Sequence, residues 1–321
     1  MRKSLKIGTI GWRGHAGHII DMLRDYPDVE VAAVYHPDYK PEVEGGTSCI
    51  DDLSGLDGIL VLSPNRTHFQ YLKHLVENTT AYLFCEKPPV TSRVQLDAIA
   101  HFPADRILFN FNLRLSRWAD FVDEAMSSGA LGEPIHCNIW ISHGLAFKDA
   151  FATSWRADAT QHPHGVLETL GIHYLDLCIA LFGATERVQL TESRVSGNGT
   201  ASDTAIATIK HKSGAISTIV SSYAAPFSRH VQVLGTNGIL EMDDSRMCLR
   251  SPRDVFNEKG RFTTPPSLRD DCYDDLDIRE ESLQRTMTYF FDHVRKGDQF
   301  PTRLFDQSLD TMRLLLDLCK A

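Results

Sequence analysis

The first third of the chain alternates two kinds of apolar run, and this alternation restricts the possible folds more than any other feature. LKIGTI, VEVAAV, GILVL, AYLFC and ILFNF are short and almost continuously apolar, whereas HIIDMLRDY, HFQYLKHLVEN and VQLDAIAHF between them are amphipathic. A short run that is apolar on both sides must be covered on both faces, and helices interposed between such strands cover them only when the strands run parallel. The reading is an α/β fold whose first domain, residues 1–115, is a doubly wound parallel sheet.

The texture changes after RWADFVDEAMSSG, where Gly129 and Gly132 break the pattern. PIHCNIWIS, ERVQLTES, TAIATIKH, AISTIVSSYA and HVQVLG follow, with turns at 211–214 and 236–238 that join successive strands directly. Direct joins imply antiparallel neighbours. Two amphipathic helices are predicted near 280–296 and 303–320, and the stretch 251–279, rich in Pro and Asp, reads as a long loop. The second domain, 116–321, is therefore expected to be α/β with a large, mostly antiparallel open sheet.

Composition enters where it excludes partners. The formal net charge of −9 over 321 residues, with no basic run, argues against nucleic acid and anionic membrane and for a small-molecule partner. The apolar start is too short and too glycine-broken for a secretory leader, and no stretch is long enough to span a bilayer, so a cytoplasmic location is expected. Seven cysteines with no CxxC pair indicate neither a disulfide framework nor a zinc ribbon. His162, His164 and Glu168 lack the HExxH pattern and are interrupted by Pro163, so no metal is expected.

The first strand ends in IGWRGHAGH and a helix follows at once. That is the setting of a dinucleotide-binding, Rossmann-type turn, in which glycines let the backbone approach a pyrophosphate and the helix N-terminus offers it N–H groups. The spacing fits GxxGxxG through Gly11, Gly14 and Gly17, so Trp12, Arg13, His15 and Ala16 fall within the candidate cofactor loop. At the end of the second strand, where an acid usually binds the adenosine ribose, stands His36, followed by Asp38 and Lys40. No carboxylate obviously repels a 2′-phosphate there, and Arg13 or Lys40 could attract one, so NAD and NADP both stay open.

GILVLSPNRTHFQYLKHLVENTTAYLFCEKPP, with FNLRLS, SGALGEPI, SWR and GVLETLGIHYLDLCIALFG further on, resembles the Gfo/Idh/MocA family, the glucose-fructose oxidoreductase and inositol dehydrogenase group, over nearly the whole chain. The resemblance implies a nicotinamide cofactor, a sugar, cyclitol or sugar-nucleotide substrate, and a homodimer or homotetramer formed through the open sheet. It implies that Ser63, Pro64, Asn65 and His68 line the cofactor, joined by Asn112, and that Glu86 and Lys87 stand where cofactor meets substrate, with Lys87–Pro88 commonly cis. Arg114, Trp155 and Arg156 are carried over as substrate contacts, and His173 matches the family's catalytic histidine.

The residues also speak for themselves. Pro88 and Pro89 hold Lys87 on a stiff turn at the carboxyl end of a strand, where open α/β sheets bind ligands. Oxidising a secondary alcohol requires a base for the proton and a cation near the developing alkoxide, and Lys87 suits both needs. In VLETLGIHYLDLCIALF, stopped by Gly183, the regular wheel puts Thr169, His173 and Asp176 on one stripe of an otherwise apolar helix and turns Glu168 about 100° away. Many family members carry an aspartate where this chain has Thr169. The expectation is an NAD(P)-dependent oxidoreductase using Lys87, His173 and Thr169, with His164 as a further substrate contact. A non-catalytic dinucleotide-binding sensor, or a redox-assisted hydrolase or lyase with tightly bound NAD, is the alternative.

Overall fold

The computed structural model describes residues 4–274 and 277–319. In chain order the first elements are β1 (Leu5–Ile10), α1 (His15–Met22), β2 (Val29–Tyr35), β3 (Gly46–Thr47), β4 (Gly58–Val61), α2 (His68–Asn78), β5 (Tyr82–Cys85), α3 (Arg93–Ile99) and β6 (Ile107–Phe109). They are followed by α4 (Arg117–Ser127), β7 (Pro134–Ser142), α5 (Asp149–Ala152), α6 (Ile172–Phe182), β8 (Thr185–Ser193) and β9 (Thr204–His211). The rest are β10 (Ile216–Ser222), β11 (Ser228–Gly235), β12 (Ile239–Asp243), β13 (Arg246–Arg250), β14 (Ser267–Cys272), α7 (Ile278–Lys296) and α8 (Thr302–Leu318).

The chain forms two compact units, the first made of Met1–Phe111 with Gln284–Met312. Its sheet has the order β3-β2-β1-β4-β5-β6 with every pairing parallel, the doubly wound arrangement expected from the alternation. Ile7, Ile59, Leu60, Leu83 and Phe84 are fully buried, as strands covered on both faces require. The strand order reverses between β1 and β4, so their carboxyl ends flank the crevice in which such sheets bind ligands.

The linear division at residue 115 differs from this arrangement, because most of the last two helices belongs with the first sheet. The reason is aromatic packing. Phe290 lies edge-on to Phe84 with ring centroids 5.7 Å apart, Phe305 is 5.3 Å from Phe109, and Phe300 is 5.8 Å from Tyr82. Each such side chain contributes about 1.5–3 kcal/mol by leaving water. Arg295 anchors the same segment, its Nε and Nη2 each donating to Asp28 at 2.7 Å.

The second unit is Asn112–Leu283 with Arg313–Ala321. Its eight strands run β14-β13-β12-β11-β7-β10-β9-β8, antiparallel throughout except for the β7–β10 pair. Strand β9 alternates strictly between buried and outward residues, as a sheet covered on one face should. Cys137, Ile139, Ala207, Ile209, Ile219, Val231 and Val233 form the covered face. On the strands' outward positions Trp140 is 52% exposed, and Ile135, Ile206 and Ile216 are exposed with it. The expected long loop at 251–279 is only partly one. Ser267–Cys272 pairs with β13, and Phe256 bridges Phe262 with their rings 4.7 Å apart. Residues 275 and 276 of that stretch lie outside the described residues.

Candidate active site

In the first unit the site is built from loops at the carboxyl edge of the parallel sheet. The β1–α1 loop is pinned by the Gly11 N–H donating to Tyr35 O at 3.3 Å. A Cβ at Gly11 would stand 3.0 Å from Leu62 O, and one at Gly17 would stand 3.2 Å from Trp12 O, so both glycines let backbone pack on backbone. Gly14 differs. Its φ is +60° and a Cβ there would meet nothing within 4 Å, so the space above it is left to whatever approaches the loop. Helix α1 begins directly after it with no side-chain cap and no acid in the first turn, leaving N–H groups for an anion. The buried Trp12 Nε1 has no hydrogen-bond partner among the described residues. These features fit a dinucleotide pyrophosphate.

The end of β5 carries the charge. Glu86 is 6% exposed. Asn110 Nδ2 donates to its Oε1 at 2.6 Å, and His15 Nε2 lies 3.3 Å from the same oxygen. Burial pushes the Glu86 carboxyl up, but the hydrogen bond and charge of His15, the charge of Lys87 and the Asn110 amide outweigh it and hold the pKa at about 2. Glu86 is thus a buried, ionised acid flanked by groups from β1–α1 and β6, with Lys87 next in sequence and Lys87–Pro88 cis.

Ser63 and Pro64 follow β4, where Thr67 Oγ1 donates to Ser63 Oγ at 2.7 Å and Asn65 opens a short 3-10 turn. His68 is placed between two backbone carbonyls. It is fully buried, with Nδ1 2.8 Å from Pro88 O and Nε2 2.6 Å from Ser63 O, so it clamps the Ser63 turn to the Lys87–Pro88 turn. Burial pushes its pKa down while the two carbonyls oppose the change. The neutral ring donates to only one of them.

Two other assignments shift. Asn112 donates to Ser282 Oγ at 2.6 Å and belongs to the second unit. The amide that serves Glu86 is Asn110, two residues earlier. Its signal in the sequence was its position straight after a parallel strand. Arg114 grips Asp176 through Nε, at 2.7 Å, and through Nη2, and both side chains are buried. This bidentate pair ties the segment before α4 to α6 rather than presenting Arg114 to a substrate. Asp176 is likewise withdrawn from the polar stripe read for that helix.

In the second unit, Leu167–Gly171 forms a π-turn leading into α6. Gly171 permits it, since a Cβ there would stand 2.8 Å from Ser221 Oγ and 2.7 Å from Leu167 Cδ1. Bonds from i to i+5 widen the turn by one residue, so the regular wheel does not hold across it. The side chain of Glu168 is fully buried, and its Oε2 accepts from the His164 backbone N–H at 3.4 Å.

Thr169 and Tyr223 share a short hydroxyl–hydroxyl hydrogen bond. Burial raises the Tyr223 phenol, while the Thr169 hydroxyl and then the charge of Arg156 pull it back. Tyr223, immediately after β10, escaped the sequence reading because nothing local marks a strand-end tyrosine as polar machinery. Arg156 lies 4.4 Å over the Trp155 ring, and Trp155 meets the buried His162 edge-on at 5.1 Å. His162 Nε2 and His164 Nε2 are buried without a hydrogen-bond partner among the described residues. Burial pushes His162 down, and the Glu168 charge opposes this. Among the described residues no group of three or more His, Cys, Asp or Glu is arranged to hold a metal.

Comparison with known proteins decides the family. Residues 5–105 match the model described as oxidoreductase family, NAD-binding Rossmann fold, and residues 121–241 match the GFO/IDH/MocA C-terminal domain. The chain belongs to the Gfo/Idh/MocA oxidoreductase family. A D-apiose dehydrogenase of Paraburkholderia graminis is 29% identical over 170 residues, a stretch covering 50% of this chain and 43% of that protein, so less than half of the relative's length is spanned. Among solved structures, an oxidoreductase of Agrobacterium radiobacter in complex with NAD+, L-tartaric acid and magnesium superposes with a TM-score of 0.76 at 20% identity, over 97% of this chain and 94% of that one. A myo-inositol dehydrogenase of Corynebacterium glutamicum superposes with a TM-score of 0.73 at 17% identity, over 99% and 96%. At these identities the superpositions speak for the fold alone. Among the described residues no helix is long and apolar enough to cross a membrane.

Proposed function

We propose that this Gfo/Idh/MocA protein is a nicotinamide-dependent dehydrogenase that interconverts a secondary alcohol and a ketone on a sugar, cyclitol or sugar nucleotide. The observation that carries the reading is the ionised, buried Glu86 flanked by His15 and Asn110 beside Lys87 at the carboxyl edge of a parallel sheet. Such a buried charge network is costly to build and is otherwise unneeded at a strand end.

A bound nicotinamide supplies the hydride acceptor or donor. The β1–α1 loop binds the pyrophosphate through backbone N–H groups, with Ser63, Pro64 and Asn65 beside it. Glu86 holds negative charge next to the Lys87 ammonium and orients it, and Lys87 stabilises the alkoxide oxygen as the proton leaves. In the second unit His173 is the residue that the family resemblance assigns as proton acceptor or relay. Thr169, hydrogen-bonded to Tyr223, is the further polar group of the same helical stretch, while Arg156, Trp155 and His164 are substrate contacts. The outward apolar residues Trp140, Ile206 and Ile216 support assembly of a homodimer or homotetramer through the sheet, which light scattering tests.

The functional test is absorbance of the nicotinamide during incubation with a panel of sugars, cyclitols and sugar nucleotides. Lys87→Met is expected to keep cofactor affinity and lose about a hundredfold or more in turnover. Wild-type turnover in that variant would reduce Lys87 to a structural cation.

A further inference from the structure

We propose that the preferred cofactor is NADP rather than NAD, its adenosine 2′-phosphate held by Arg13 and His36. This rests on the dinucleotide reading of the β1–α1 loop. It adds the chemical group that the loop's neighbours select.

The end of β2 is where an NAD-specific chain places a carboxylate, because a carboxylate accepts hydrogen bonds from the ribose hydroxyls. Here β2 stops at Tyr35 and the next residue is His36. The Asp38 backbone N–H donates to His36 Nδ1 at 3.2 Å. With Nδ1 accepting, the ring proton sits on Nε2. The residue in the acid's place therefore offers a donor, which suits phosphate oxygens.

Arg13 supplies the charge. Its guanidinium carbon lies 4.4 Å from the Trp12 ring centroid and 5.8 Å from that of Tyr39. Tyr39 in turn stacks on His36, centroids 4.0 Å apart and planes 32° from parallel. One tyrosine thus connects the cation of the glycine loop to the donor at the end of β2, the two segments that flank the adenosine ribose in such folds. No carboxylate lies within 4.0 Å of Arg13 among the described residues, in contrast to Arg114 and Arg295 of the same chain, each of which grips an aspartate. A guanidinium stacked on aromatic faces keeps its N–H edge for hydrogen bonding, and that edge matches phosphate in bidentate fashion. Stacking also reduces the entropy lost when a long exposed side chain is held in place.

The acid that could argue for NAD is Asp38. Its backbone N–H is engaged by His36, and its charge acts on the phenols of Tyr35 and Tyr71, both raised first by burial. A single carboxylate there is outweighed for a phosphomonoester, whose charge of about −1.5 to −2 meets Arg13, with Lys40 close by in sequence.

The test is calorimetric titration of the full-length protein without substrate, using NADPH and NADH, and 2′,5′-ADP and 5′-AMP as fragments with and without the 2′-phosphate. Wild type is expected to bind NADPH and 2′,5′-ADP at least about tenfold more tightly than their unphosphorylated counterparts. Arg13→Gln should collapse that ratio by about 10- to 100-fold, the scale of a lost charge-assisted hydrogen bond. His36→Asp should reverse the preference towards NADH, and it serves as the second variant should Arg13→Gln fail to fold. NADH bound as tightly as NADPH by the wild type, or an unchanged ratio in both variants, overturns the proposal and leaves the dinucleotide loop standing. Binding of neither dinucleotide overturns the loop reading itself.

Discussion

The loop at Gly11–Gly17 and the helical stretch from Leu167 to Phe182 are the two regions on which the proposed chemistry depends, and they are built on opposite terms. The loop works through backbone. Its glycines bring N–H groups and empty space to a ligand, and the side chains at Gly14 and Gly17 matter by their absence. The helix works through side chains, and a one-residue widening of its first turn breaks the regular wheel that would relate them. Backbone sites are therefore written in residue type and spacing, whereas side-chain sites are written in register, which distant packing can change.

The comparison is broken most severely at Gly14. Gly14→Val places a branched side chain in the space kept open above the loop, in a backbone conformation that costs such a residue about 1–3 kcal/mol. Cofactor affinity is expected to fall below detection by calorimetry while the circular dichroism spectrum stays folded. On the helix, His173→Ala is expected to lose about a hundredfold in kcat with cofactor affinity retained, measured in single-turnover hydride transfer.

The Glu86 network sharpens the contrast through pH. Its folded pKa of about 2 lies below that of an unfolded glutamate, so its contribution to stability is fully present above the unfolded value and is lost as pH falls towards 2. In Glu86→Gln the stability change across that acid window should shrink, as followed by urea unfolding at a series of pH values. The smallest effect is expected at Thr169. Its hydroxyl pairs with Tyr223, so Thr169→Ala should lose within about tenfold in kcat/KM. Equal and severe losses in Thr169→Ala and His173→Ala would make Thr169 a full partner and erase the distinction between register and residue type.

By itself the sequence determined the doubly wound sheet, the mostly antiparallel sheet after it, the glycine loop and the Glu86–Lys87 turn, because each depends on residue type at short spacing and on periodicity that survives without neighbours. Only the tertiary structure decided the rest. The aromatic residues from Phe290 to Phe305 join the first sheet because burying their rings outweighs proximity in the chain. Asn110 serves Glu86 from the end of β6, while Asn112, expected to line the cofactor, reaches Ser282. Arg114 and Asp176 are taken by each other across 62 positions of sequence. The π-turn at Leu167–Gly171 forms where Gly171 packs against Ser221 of β10. Pairings between residues far apart in sequence are chosen by the energy of the packed interior, and no local pattern encodes them.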